Sequence, residues 1–153
     1  MMKALIIIGS ETDKPVMQET RQYLEHFGIG CDLEVASAHR TPDRVRQIAG
    51  DAQKNGYGVV ITAAGMAAAL PGVVAAYTSL PVLGVPLEGG LPGGLDALYS
   101  TVQMPAGIPV GTLAVGKAGA RNAAILTARI FALTDPQVAT RLESFKQNGY
   151  RIS

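Results

Sequence analysis

Val35-Ala36-Ser37-Ala38-His39-Arg40-Thr41-Pro42-Asp43 is the stretch whose reading decides the fold. Val35 ends an apolar run that reads as a strand. Thr41-Pro42-Asp43 is a helix start: a hydroxyl placed to cap, proline in the first turn, then an acid. Ser37, Ala38, His39 and Arg40 thus lie on a strand-to-helix loop, at the carboxyl end of a strand, where open α/β sheets bind ligands. A hydroxyl, an imidazole and a guanidinium meet there beside free helix amides, which favour anions. The loop reads either as a site for a phosphate-bearing substrate with one proton-transferring histidine, or as a solvated turn.

Working outward, residues 3–8 read as a strand, Lys3 followed by the short apolar run Ala4 to Ile8 of the kind a strand buried on both faces requires. A polar turn from Gly9 to Pro15 leads into a helix that reaches His26-Phe27 and is closed by Gly28. Residues 31–36 are the second strand, and Thr41 opens a second helix ending near Asn55-Gly56. Residues 58–62 form a third strand, followed by small residues and a short apolar helix over 73–77. Residues 81–86 are a fourth strand, 87–94 a Gly/Pro-rich loop, 95–103 a short helix and 110–115 a fifth strand. A long apolar helix spans 118–133 and a polar one 136–147. Strands alternating with helices at this spacing give right-handed βαβ units around a parallel sheet. The expected fold is a flavodoxin-like three-layer α/β/α sandwich with a five-stranded parallel sheet. No repeat, linker or low-complexity segment divides residues 1–153, so one domain is expected.

The chain is 48% hydrophobic and 16% charged. That is apolar for a small domain, so part of its surface is expected to meet another subunit. A net charge of +1 leaves no footprint for nucleic acid or an acidic membrane. The apolar run near the N-terminus is too short for a signal-peptide core, and no run is long enough to span a bilayer. Cys31 is the only cysteine, which excludes an internal disulfide and points to the cytoplasm; it reads as a small buried side chain.

Several segments invite a chemical reading. In Ser10-Glu11-Thr12-Asp13, Ser10 and nearby amides suit a phosphate and Asp13 suits ribose hydroxyls, while Thr12 or Asp13 is expected to cap the helix. His39 is the one credible acid/base imidazole, a side chain type that exchanges protons near neutrality. His26, in the last turn of the first helix, reads as structural. The run from Ala63 to Gly72 has almost no side-chain bulk. It suits either a wall that a flat ring approaches closely or tight helix–sheet packing. Gly111 to Ala118 nearly matches a phosphate-binding P-loop. Ala118 replaces the magnesium-binding hydroxyl, however, and the residues between the glycines are strand-like, so that reading fails. No metal-ligand spacing is present, and Ser37 has no evident base to activate it. An electron-carrying flavin module would want aromatic side chains, yet these make up 5% of the chain and Trp is absent. A phospho-receiver would need an acceptor Asp where Thr62-Ala63 stands.

Together these residues resemble the aminoimidazole ribonucleotide carboxylase family of purine biosynthesis, catalytic subunit type. The resemblance is carried by Gly9-Ser10-Glu11-Thr12-Asp13, Ser37-Ala38-His39-Arg40-Thr41-Pro42, Leu70-Pro71-Gly72, the Pro81 to Pro86 segment, the Gln103 to Val110 segment and Gly116-Lys117-Ala118-Gly119-Ala120. It implies an enzyme without cofactor or metal that makes 4-carboxy-5-aminoimidazole ribonucleotide. In the mutase branch, His39 would protonate the exocyclic nitrogen of a carbamate substrate, releasing carbon dioxide into a closed pocket. The ring carbon then captures it, and His39 removes the ring proton. By the same matching, Ser10 and Arg40 would contact the phosphate and Asp13 the ribose, with Thr12 beside them. Ser37, Ala38 and the backbone of Ala64, Gly65, Ala67, Ala68 and Leu70 would frame the ring. The resemblance further implies a homo-octamer with sites between subunits.

Three departures accompany it. Met66 stands where the mutase branch has glycine, Ala69 where that branch has a second histidine, and Glu88-Gly89-Gly90 where small polar residues are usual. The branch that carboxylates aminoimidazole ribonucleotide directly with carbon dioxide also lacks the second histidine. That carboxylase and a divergent paralogue acting on a related ribonucleotide are the alternatives.

Overall fold

The computed structural model describes residues 2–152. Five parallel strands form one sheet in the order β2-β1-β3-β4-β5, with β1 Lys3–Ile8, β2 Gly30–Val35, β3 Tyr57–Gly65, β4 Val82–Leu87 and β5 Gly111–Thr112. The helices are α1 Lys14–His26, α2 Pro42–Asp51, α3 Leu70–Tyr77, α4 Leu95–Val102, α5 Lys117–Ala132 and α6 Pro136–Gln147. This strand order is the flavodoxin-like one, with its switch point between β1 and β3.

The period-two geometry of the strands divides the core into two layers. Ala4, Ile6 and Ile8 of β1 and Val59, Ile61 and Ala63 of β3 face α1, α5 and α6. Leu5 and Ile7, with Val60 and Ala64, face α2, α3 and α4. Every residue from Ala4 to Ile8 is at most 1% exposed. Each buried isoleucine is worth about 1.5–3 kcal/mol. Where a polar side chain enters these layers it has a partner. The Thr20 hydroxyl donates to the Ala120 carbonyl at 2.8 Å, tying α1 to α5, and Thr62 donates to the Leu83 carbonyl at 3.1 Å. At the amino end of the sheet the Tyr57 hydroxyl donates to Asp32 at 2.6 Å, and Lys3 lies 4.2 Å above the Tyr57 ring. Desolvation first, then the Asp32 carboxylate, push the Tyr57 phenol up to about 12. These three residues belong to β1, β2 and β3, and they join the strand starts opposite the site described below.

Four boundaries differ from the sequence reading by more than one residue. The second helix ends at Asp51, because residues 52–55 turn and Gly56 takes φ +83°. β3 runs on to Gly65, because its pairing with β4 continues as far as Gly65 opposite Leu87. α3 begins at Leu70, since Pro71 fits the first turn, where its missing N–H is no loss. β5 is only Gly111–Thr112, although the Leu113 and Gly116 amides still donate to the Gly84 and Pro86 carbonyls at 2.9 Å. The glycine-flanked run that nearly matched a P-loop is thus extended backbone feeding α5. β2 is an edge strand with exposed Asp32, so it is not covered as fully as the inner strands. Cys31 on that strand is half-buried, and burial raises its thiol pKa. His26 packs edge-on against Phe27 with ring centroids 5.2 Å apart, a structural position as expected.

Gly119 allows α5 to approach the strand side of the sheet. A Cβ at this position would collide with the Ala114 carbonyl oxygen and the Val85 side chain. Gly119→Ala is expected to destabilise the fold by about 2–3 kcal/mol, the cost of overpacking against backbone that cannot yield. Chemical denaturation compared with wild type checks this.

Candidate active site

The carboxyl ends of β1, β2, β3 and β4 open onto one cavity of about 460 Å³. Residues 9–13 follow β1, residues 36–41 follow β2, residues 66–69 follow β3, and Glu88 and Gly89 follow β4. Every residue singled out for a site is on its wall: Ser10, Thr12, Asp13, Ser37, Ala38, His39, Arg40, Ala64, Gly65, Ala67, Ala68 and Leu70. Gly9, Met66, Ala69, Glu88 and Gly89 complete it. Glu88, which stands out in the sequence only as a departure from the family pattern, is not among the candidate site residues. Its place depends on β4 lying next to β3, which strand alternation alone does not specify.

The loop after β2 is held by its own hydroxyls. Thr41 Oγ1 accepts from the Ser37 amide at 3.0 Å and donates to the Ser37 carbonyl at 3.2 Å, while the Thr41 amide donates to the same carbonyl at 2.9 Å. Ser37 Oγ accepts from the Arg40 amide at 3.1 Å. Ala38, His39 and Arg40 form the turn inside this ring of bonds, with the His39 and Arg40 side chains exposed. Arg40 makes no ion pair among the described residues. The expectation that Thr41 caps α2 is corrected: its hydroxyl is committed to Ser37 and makes no capping bond to the helix.

A second correction concerns residues 9–13. Ser10 is the capping residue. Its Oγ accepts from the Thr12 amide at 3.3 Å and lies 2.9 Å from Thr12 Oγ1. Asp13 makes no capping bond, which leaves its carboxylate at the cavity. Burial pushes that carboxyl above its ordinary range, and a backbone hydrogen bond from Ser10 works in the opposite direction.

Across the cavity, Ala64, Gly65, Ala67, Ala68 and Ala69 present backbone and methyl groups. Gly65 permits a close approach to the end of β4, since a Cβ there would stand 3.3 Å from the Leu87 carbonyl oxygen. Both readings of the small-residue run hold in part: Ala64 and Ala68 pack in the core, and the same segment walls the cavity. Ala69 carries no polar group toward the space. No cluster of three or more His, Cys, Asp or Glu side chains suited to a metal occurs among the described residues, and no helix among them is long and apolar enough to cross a membrane.

A flavodoxin-like sheet with polar loops, one imidazole and a small-residue wall around a cavity at its carboxyl edge defines an α/β protein with a ligand site where this fold places one. The chain belongs to the AIR carboxylase family, whose model matches residues 3–151. It is 52% identical over 143 residues to the N5-carboxyaminoimidazole ribonucleotide mutase of Haemophilus influenzae, covering 94% of this chain and 87% of that protein. It is 49% identical over 145 residues to the mutase of the same name from Escherichia coli K12, covering 95% and 86%. The crystal structure of Treponema denticola PurE superposes with a TM-score of 0.88 at 28% identity, over 98% of this chain and 92% of that one.

The position of Asp13 has a measurable consequence. Its folded pKa lies above the unfolded value, so the ionised carboxylate opposes folding, and that opposition disappears as pH falls through the raised pKa. Asp13→Asn removes the charge. The variant is expected to melt above wild type at pH 7 and level with it near pH 3; thermal unfolding across that range reads the difference.

Proposed function

We propose that this protein moves the carboxyl group of N5-carboxyaminoimidazole ribonucleotide from the exocyclic amine to the ring carbon, giving 4-carboxy-5-aminoimidazole ribonucleotide. The observation that carries the reading is His39, the one imidazole on the cavity, on a turn that also bears Arg40 and shares the cavity with a wall of backbone and methyl groups. The names of relatives at about half identity support the same reaction.

In this reading Arg40 and the Ser10 hydroxyl bind the phosphate, the Asp13 carboxylate accepts from ribose hydroxyls, and Ser37, Ala38 and the Ala64 to Leu70 segment frame the ring. His39 donates a proton to the carbamate nitrogen as the N–C bond breaks and carbon dioxide departs. The ring carbon attacks the trapped molecule, and the neutral imidazole then takes the ring proton. One group serves as acid and base in turn, and proximity replaces a second encounter. The side chains of this cavity suffice for each step, which needs no resident metal or cofactor.

Ala69 favours a second reading. With no polar arm at that position, the cavity also suits a direct carboxylase that takes aminoimidazole ribonucleotide and carbon dioxide from solution. Supplying the carbamate without bicarbonate, and separately the plain amine with it, separates the two. Product from the carbamate supports the mutase, and turnover of the amine alone overturns it. No product from either, with nucleotide still bound, would indicate the divergent paralogue.

We place the reaction in the cytoplasm and assign it to a homo-octamer. Leu95, Tyr99 and Val102 recur at helical spacing along α4, each between 45% and 59% exposed, a stripe that association would cover.

His39→Asn is expected to fold and bind nucleotide like wild type but lose turnover. Arg40→Ala is expected to weaken ribonucleotide binding by about 2–3 kcal/mol through loss of a charge-assisted contact. Titration calorimetry and product chromatography on both variants distinguish these effects.

A further inference from the structure

Met66 holds a backbone conformation that side chains avoid: its φ is +54°, in the left-handed region. The surrounding turn imposes it. Gly65 is pressed against the end of β4, and the Ala68 amide donates back to the Gly65 carbonyl at 3.1 Å. The Met66 side chain therefore leaves the sheet and remains 61% exposed, on the wall of the cavity that contains His39.

It lies beside the loop that follows β4. A Cβ at Gly90 would stand 3.3 Å from Met66 Cγ. Gly90 has no room for one, because the Asp96 carboxylate occupies that space and accepts from the Leu91 amide at 3.2 Å. Thus an unbranched thioether reaches across to Gly90, beside a Gly89 whose Cβ position is open. Such a side chain adapts its torsions to fill irregular gaps. Leu70, the other large aliphatic residue on the cavity wall, is 2% exposed and held in the core. Of the two, Met66 is the one not packed into the core.

We propose that Met66 is a specificity-determining residue that roofs the ring end of the cavity and governs how released carbon dioxide divides between capture and escape. The inference rests on the mutase reading. When the N–C bond breaks, its electron pair stays on nitrogen, which takes the proton from His39. The ring carbon then supplies the pair for the new C–C bond, and its proton passes to His39. Between these events carbon dioxide is small, uncharged and a weak acceptor, so the walls must retain it by excluding its paths out. Ala69 adds no bulk, and the glycines at 89 and 90 add none. Met66 supplies what that end of the cavity lacks.

The test turns over unlabelled carbamate substrate in ¹³C-bicarbonate buffer with wild type, Met66→Gly and Met66→Leu. Two quantities are read: ¹³C in the carboxyl group of the product, and free aminoimidazole ribonucleotide relative to product, corrected for uncatalysed decay. Met66→Gly is expected to raise both several-fold, while Met66→Leu, which keeps the bulk, retains the wild-type division. Glycine accepts φ +54° without strain, so Met66→Gly should melt no lower than wild type, and a leak would not reflect unfolding. An unchanged division in Met66→Gly, or a leak of equal size in Met66→Leu, overturns the inference. Failure of wild type to convert the carbamate overturns the mutase reading itself, a result that neither variant can mimic.

Discussion

The two-sided pairing of β1 is the constraint on which the rest of the structure depends. Its residues bond to β2 on one edge and β3 on the other, so that Ile8 stands level with Val35 and with Ala63. The Ala36 amide donates to the Ile8 carbonyl at 2.9 Å, and the Gly9 amide donates to the Ala63 carbonyl at 3.3 Å. The three strands therefore reach their carboxyl ends near one level. A slip of one residue would exchange the two faces of β1 and bury its residues against the wrong helices. The hydrophobic layers thus hold the register, and the register brings together loops that are far apart in the chain.

Each loop is then shaped locally. Hydroxyls at 37 and 41 close a ring of bonds around the turn bearing His39 and Arg40, and Ser10 satisfies the amide of Thr12. The bonds to Ser37 withdraw Thr41 from capping α2, and together these bonds limit the conformations open to the exposed groups. The small residues after β3 act differently. They contribute few side-chain atoms, so their backbone can both pack on the core and face the cavity. Polar clamp and bare wall are positioned by the same sheet, which is why a flat phosphorylated substrate fits the family reading.

The departures at 66, 69, 88 and 89 fall on the wall of one cavity, and Gly90 lies beside Met66. Met66 lies against the space above Gly90, Gly90 is kept bare by Asp96, and Ala69 lacks a polar arm in the same segment. Substitutions that look scattered along the chain therefore alter a single region of the cavity. In the proposed reading that region would meet the ring, so the departures would bear on the fate of the reacting group more than on anchoring of the phosphate.

The architecture was legible in the chain because strand and helix leave periodic signals: all-apolar runs for inner strands, proline and capping residues at helix starts, Gly28 at a helix end. His39 and its neighbours were legible for the same reason, since their place between a strand and a helix follows from local pattern. Other features required the tertiary structure. That Thr41 bonds back to Ser37, that Ser10 rather than Thr12 or Asp13 caps, and that β3 continues to Gly65 depend on which competing partner lies within reach. Glu88 joins the wall only because β4 pairs beside β3, and Met66 joins it on a turn that takes a left-handed bend. Local propensity carries no information about neighbours brought close by distant segments, so those choices were made only when the sheet assembled.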